Sequence, residues 1–201
     1  LIKSVEVRMR SDVPVAFCLS GGVDSNSLVS IAKKILGKDV HGFSIINSDQ
    51  RYQEEELIDY SVKQLNIKNT KISIDKTNFI ENLNDLIKKH NAPICTLNYF
   101  AHFIMTKIIS NQGYKVSISG TGADEIFSGY YDHYLAHLYE LFHKKDKSYE
   151  ASLEMWEKHI NPIVRNPFLK DHEYFIKGSL NRDHIYLDSN IFKKYLIYNF
   201  D

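Results

Sequence analysis

A parallel α/β sheet with helices on both faces, followed by a helical C-terminal extension, is the fold this sequence predicts. Three observations lead there. Short continuous apolar runs alternate with stretches of helical periodicity from residue 15 to about residue 130. Two of those runs end at glycine turns, Ser20-Gly21-Gly22 and Gly120-Thr121-Gly122, and the remainder to Asp201 shows helical stretches without strand alternation.

The opening LIKSVEVRMRSDVPV reads as the second half of an amphipathic helix running into a strand, and the closing FKKYLIYNFD keeps its apolar periodicity to the last position. The chain is therefore expected to be a fragment of something longer. Val15–Leu19 is a continuous apolar run after Pro14, as in a strand buried on both faces. From Asp24 to Leu36 the residues Leu28, Ile31, Ala32, Ile35 and Leu36 recur at helical spacing, and Gly37 supplies a stop. The alternation continues with strand Val40–Ile46, helix Glu54–Leu65, strand Lys71–Ile74 and helix Thr77–Lys89. A helix over Tyr99–Ser110 leads through Gly113 to strand Lys115–Ser119, and Glu125–Phe142 reads as one long helix. The charge run His143–Lys147 marks the boundary, giving an α/β domain over 1–142 and a helical extension over 143–201.

Composition narrows the function classes. With Lys+Arg 25 against Asp+Glu 25 the net charge is zero, so the summed field offers nothing to nucleic acid or to an anionic membrane, and any phosphate site must be local. No apolar run reaches the roughly 20 residues that span a bilayer, and no signal pattern opens the chain, so a cytoplasmic location is the expectation. Cys18 and Cys95 stand far apart and form neither a zinc motif nor a disulfide framework. His133 and His137 share a helix face but lack the Glu and third ligand of a metal motif, and the tyrosines 130, 131, 134 and 139 lack the basic interleaving of a base-stacking surface.

The chemistry concentrates in Ser20-Gly21-Gly22-Val23-Asp24-Ser25, between the first strand and the first helix. Adjacent glycines let backbone approach a phosphate closely, and the N–H groups opening the helix point at the anion. Ser20 and Ser25 add hydroxyls. Asp24 suits such a loop if a cation stands between it and the phosphates, which makes it a candidate ligand of Mg²⁺. The loop is not a Walker A, because Gly37-Lys38 is followed by Asp39, and there is no G-x-G-x-x-G.

The S-G-G-V-D-S segment resembles the pyrophosphate loop of the N-type ATP pyrophosphatases, the PP-loop superfamily. Ser119-Gly120-Thr121-Gly122-Ala123-Asp124-Glu125-Ile126-Phe127-Ser128-Gly129-Tyr130 is similar to the S-G-x-G-A-D-E-L-F-G-G-Y segment of the asparagine synthetase family. Ser11-Asp12-Val13-Pro14-Val15 and Arg51-Tyr52-Gln53-Glu54 resemble two further segments of that family, in the same order.

The resemblance implies an amide-forming ligase using ATP and Mg²⁺. A substrate carboxylate, aspartate in the family, attacks the α-phosphorus; pyrophosphate leaves into the Ser20–Ser25 cradle, with Mg²⁺ on Asp24 and Asp124; ammonia then displaces AMP. It further implies adenine contacts at Leu19 and Ile45, nucleotide contacts at Ser20, Gly21, Gly22, Val23, Ser25, Ser119 and Gly120, and a glutaminase domain in the full-length chain. Two alternatives stand beside this reading: an amidotransferase acting on another carboxylate, such as a sugar acid or a β-lactam-type precursor, and a nucleotide-binding module without catalysis. The chain departs from the family at Thr121, where many members have Glu, and around Arg165–Asp171, which matches the late R-x-P-F-L-D only loosely with no G-x-x-K after it.

Overall fold

The computed structural model describes residues 1–47, 49, 53–74 and 77–177. Arg51 and Tyr52, within one of the segments that carry the resemblance, and the helical stretches expected beyond residue 177 lie outside the described residues. The chain divides into two compact units, Leu1–Thr121 and Gly122–Asp201.

The first unit opens with α1 (Ile2–Arg8), β1 (Val15–Cys18) and α2 (Val23–Ser30), the last continuing as a π-helical turn over Ile31–Ile35. Then come β2 (His41–Ile46), α3 (Glu55–Leu65), β3 (Lys68–Ser73), α4 (Phe79–His90), α5 (Asn98–Asn111) and β4 (Val116–Ile118). All strand pairs are parallel, in the order β3-β2-β1-β4. The run read from Lys71 starts three residues earlier, because Lys68, Asn69 and Thr70 pair with His41, Gly42 and Phe43; backbone pairing recruits polar residues that periodicity passes over.

Alternation along β1 explains why both faces carry helices. Phe17 and the following Leu19 enter one core with Val5, Val29, Ala32 and Ile58, from α1, α2, its π turn and α3. Ala16 turns to the other core, with Phe43 of β2 and Phe100, Ile104, Met105 and Ile109 of α5. Successive connections leave β1 toward β2 on one side while β4 lies on the other, so the two neighbours diverge at the carboxyl ends of β1 and β4. Open α/β sheets bind ligands at such a switch point.

At the opposite end of β2, His41 is only 5 % exposed, and its ring nitrogens bond the Tyr114 hydroxyl and Thr70 Oγ1, each at 2.8 Å. Burial first, and the charge of Lys68 second, push its pKa below the ordinary 6.5. The unfolded chain binds this proton more readily than the fold does, so stability falls as pH drops below about 6.5 toward the depressed native value. His41→Gln should flatten that slope in denaturant titrations between roughly pH 7 and 5; an unchanged slope would show that His41 does not carry it.

The second unit contains α6 (Ala123–Phe127), α7 (Tyr131–His143), α8 (Tyr149–His159), two single 3₁₀ turns, Asn161–Ile163 and Pro167–Leu169, and α9 (His172–Lys177). Its core gathers Leu135, Leu138, Trp156, Val164 and Leu169. The single helix expected over Glu125–Phe142 is interrupted: Ser128 is left-handed at φ 62°, and Tyr130 is extended. Compactness divides the chain earlier than the 142/143 boundary read from the charge run, because Leu135 and Leu138 of α7 pack with Trp156 of α8. Among the described residues no helix is long and apolar enough to cross a membrane.

Candidate functional site

The glycine loop after β1 is held by its own polar groups. The Ser20 N–H donates to Ser25 Oγ at 3.1 Å, the two hydroxyls stand 2.9 Å apart, and the Gly22 N–H donates to Ser20 Oγ at 3.2 Å. Asn26 Nδ2 donates to the carbonyls of Ser20 and Gly22 at 2.9 and 2.7 Å. These bonds fold the loop back onto the start of α2, whose N-cap, Gly22, provides no side-chain acceptor. The N–H groups of Val23, Asp24 and Ser25, in the first turn, have no intrahelical acceptors and lie at the positive end of the helix dipole. Such an arrangement of free N–H groups and hydroxyls is chemically able to receive an anion.

The loop after β4 meets it closely. A Cβ on Gly120 would stand 2.9 Å from Asp24 Cβ and 3.0 Å from the Ser25 backbone nitrogen, so only glycine lets these backbones approach. In the same stretch Ser119 Oγ donates to Thr121 Oγ1 at 3.1 Å.

The two loops open on one cavity of about 410 Å³, within the ordinary range for a small-molecule site. Of the residues expected at the site, it is lined by Leu19, Ser20, Gly22, Asp24, Ser25, Ile45, Ser119 and Gly120. Gly21 instead turns toward α3, where a Cβ would stand 3.0 Å from Glu54 Cβ, and the Val23 side chain is 80 % exposed. Asp124 belongs to the second unit, in the first turn of α6, and its carboxyl group fills the space where a Cβ of Gly129 would lie. Next to it the Tyr130 hydroxyl donates to Glu125 at 2.7 Å; that bond, chiefly, pushes the Tyr130 pKa up to about 12 and holds Glu125 below the usual carboxylate range.

Several lining residues were not singled out from sequence. Phe43 and Met105 add an apolar wall beside Cys18, whose thiol is pushed up by burial, partly offset by a hydrogen bond with Ser117. His102, in the first half of α5, is the sole lining side chain among the described residues that can carry positive charge, against the carboxylates of Asp24 and Glu54. An available signal for Asn26 was its type, since asparagine is a poor helix former that bonds nearby backbone. His102 carried none, because only the packing of α5 on the sheet brings it to this edge.

A parallel sheet whose switch point carries a serine–glycine loop at a helix N-terminus defines a nucleotide-binding α/β protein of the PP-loop type. Comparison with known proteins agrees: the asparagine synthase family model matches residues 1–178, and the chain belongs to that family. It is 32 % identical over 127 residues to a glutamine-hydrolysing asparagine synthetase 1 of Bacillus subtilis (strain 168), covering 63 % of this chain and 20 % of that protein. It is 30 % identical over 157 residues to a glutamine-hydrolysing root asparagine synthetase of Pisum sativum, covering 71 % and 26 %. It is also 27 % identical over 144 residues to amidase chyE of Penicillium rubens, covering 65 % and 21 %. The chain thus spans about a fifth to a quarter of the length of these relatives.

Proposed function

We propose that this chain is the ATP-binding synthetase portion of an amide-forming ligase, which adenylates a carboxylate and lets ammonia displace AMP. The observation that carries the reading is the single cavity joining the seat at the start of α2 to Gly120 of the β4 loop. ATP placed there sets its leaving pyrophosphate against the N–H groups of Val23, Asp24 and Ser25 and the Ser20 and Ser25 hydroxyls. Its adenine lies against Leu19 and Ile45, at the ends of β1 and β2. The residues align the phosphates and neutralise charge as it builds, without forming a covalent bond to the substrate.

Asp24 fits a hard divalent cation. Among the described residues no group of three His, Cys, Asp or Glu could hold a metal, and Mg²⁺ needs no such cage, since one or two carboxylates with substrate phosphates suffice. When bound, Mg²⁺ would supply charge compensation for the departing pyrophosphate. Asp124 stands as the second carboxylate on the family resemblance.

Aspartate is the acceptor we favour, with ammonia delivered by a glutaminase domain in the whole protein. A second reading, another carboxylate as acceptor, draws on Thr121, whose hydroxyl cannot replace the carboxylate many members carry there, and on the amidase-named relative.

Pyrophosphate release from ATP, followed with ammonia and a panel of carboxylates on the whole protein, tests these readings. Release with aspartate above all others is the expected result. Release with a different acid alone selects the second reading. ATP binding with no release for any acid points to a module without catalysis.

A further inference from the structure

We propose, on the reading that this cavity receives a polyphosphate, that Glu54 is a positioning residue which clamps the outer side of the anion loop to α3. Glu54 Oε2 accepts the Gly21 N–H at 2.8 Å, across 33 residues of sequence. The contact is more than a single bond, because Gly21 also packs against the stem of Glu54 and against Leu57, so that a Cβ there would stand 3.0 and 3.2 Å from their Cβ atoms. Two independent attachments therefore tie one glycine to the start of one helix.

The helix gains no capping hydrogen bond from this arrangement. Glu54 is the N-cap of α3, a position that favours Ser, Thr, Asp or Asn, and its side chain makes no capping bond to α3. A residue that neglects its own helix to bond a distant loop breaks a local rule, and such breaks mark functional sites.

The direction of the bond sets the role. The N–H groups of Ser20 and Gly22 are taken by hydroxyls inside the loop, whereas that of Gly21 goes out to Glu54. The N–H groups left for an anion are those of Val23, Asp24 and Ser25, and none of them meets Glu54. Glu54 also lines the cavity, but its carboxylate bonds Gly21 and so leaves those three amides to the seat. A placeholder would act in the opposite sense, because an anion occupying the seat has to leave before phosphate enters.

Glu54→Ala and Glu54→Gln, made in the chain of residues 1–201, distinguish these roles through two measurements. In the ligand-free chain, hydrogen exchange of the Gly21 amide should quicken about tenfold in Glu54→Ala and stay near the parent rate in Glu54→Gln, whose amide oxygen still accepts the bond. With inorganic pyrophosphate and Mg²⁺ as the probe in calorimetry, Glu54→Ala should bind about tenfold more weakly, with Glu54→Gln restoring affinity to within about twofold. The melting temperature of both variants should match the parent.

Unchanged Gly21 exchange in Glu54→Ala would overturn the clamp, as would tighter pyrophosphate binding by both variants, the mark of a placeholder. Equal weakening in both, with a changed Mg²⁺ dependence, would overturn it in favour of a direct charge role. Faster Gly21 exchange in Glu54→Ala, together with a parent chain that binds neither pyrophosphate nor ATP, would keep the clamp and remove the nucleotide reading.

Discussion

Asp24→Asn is expected to weaken Mg²⁺-dependent ATP binding by at least about a hundredfold while leaving the fold intact. Even groups that only orient a metal ligand typically account for about 10–100-fold in metal affinity, and a ligand itself should account for no less. Stability should change little, since an acid in a helix first turn contributes only about 0.3–1 kcal/mol. The carboxamide keeps the shape of Asp24, including the Cβ that packs against Gly120. Calorimetry with and without Mg²⁺, beside a thermal melt, provides the measurement. A variant that binds ATP with Mg²⁺ as tightly as the parent would show that this carboxylate holds no metal.

Gly120→Ala should be nearly as damaging, for a steric reason. Its new methyl would press on the Ser25 backbone nitrogen at 3.0 Å and on Asp24 Cβ at 2.9 Å. Neither can rotate away as the tip of a flexible side chain can, so the β4 loop and the first turn of α2 must separate. Overpacking of this kind costs about 1–3 kcal/mol of stability, and separating the loops opens the anion seat itself. ATP affinity should fall by about a hundredfold, the equivalent of about 2.7 kcal/mol. Gly37→Ala is the control: Gly37 has φ 61° but nothing within 4 Å of an added Cβ. That change should cost only backbone strain, about 1 kcal/mol, and leave ATP binding untouched. Equal affinities in Gly120→Ala and the parent would mean the two loops do not share the nucleotide.

The contrast between those two glycines shows what the sequence could and could not convey. Strand β1 was legible because Val15–Leu19 is apolar without interruption, and the turn after it because Ser20-Gly21-Gly22 stops that run just before α2 begins. Both β1 and β4 end in a glycine turn, and the structure makes them neighbours, pairing Val15, Ala16 and Phe17 with Val116, Ser117 and Ile118. Contacts across the sheet edge left no local mark. Glu54 reaches Gly21 through the meeting of two connections, and no periodicity within α3 encodes where its N-terminus will lie. The break between α6 and α7 was hidden for a different reason: Ile126 and Phe127 continue a helical apolar pattern into Tyr131 and Tyr134, while the left-handed turn at Ser128 depends on backbone geometry that serine seldom adopts.

That break makes positions 124 and 129 a sterically coupled pair. The Asp124 carboxyl group occupies the volume of the first side-chain atom at residue 129, so the absence of a side chain there selects the rotamer that Asp124 adopts. A methyl at 129 would meet the mobile end of an aspartate and swing it aside without unfolding α6, so the lesion would register as a redirected acid rather than a lost helix. Shortening residue 124 would remove the conflict, and the harm done by a change at 129 would then depend on which residue stands at 124.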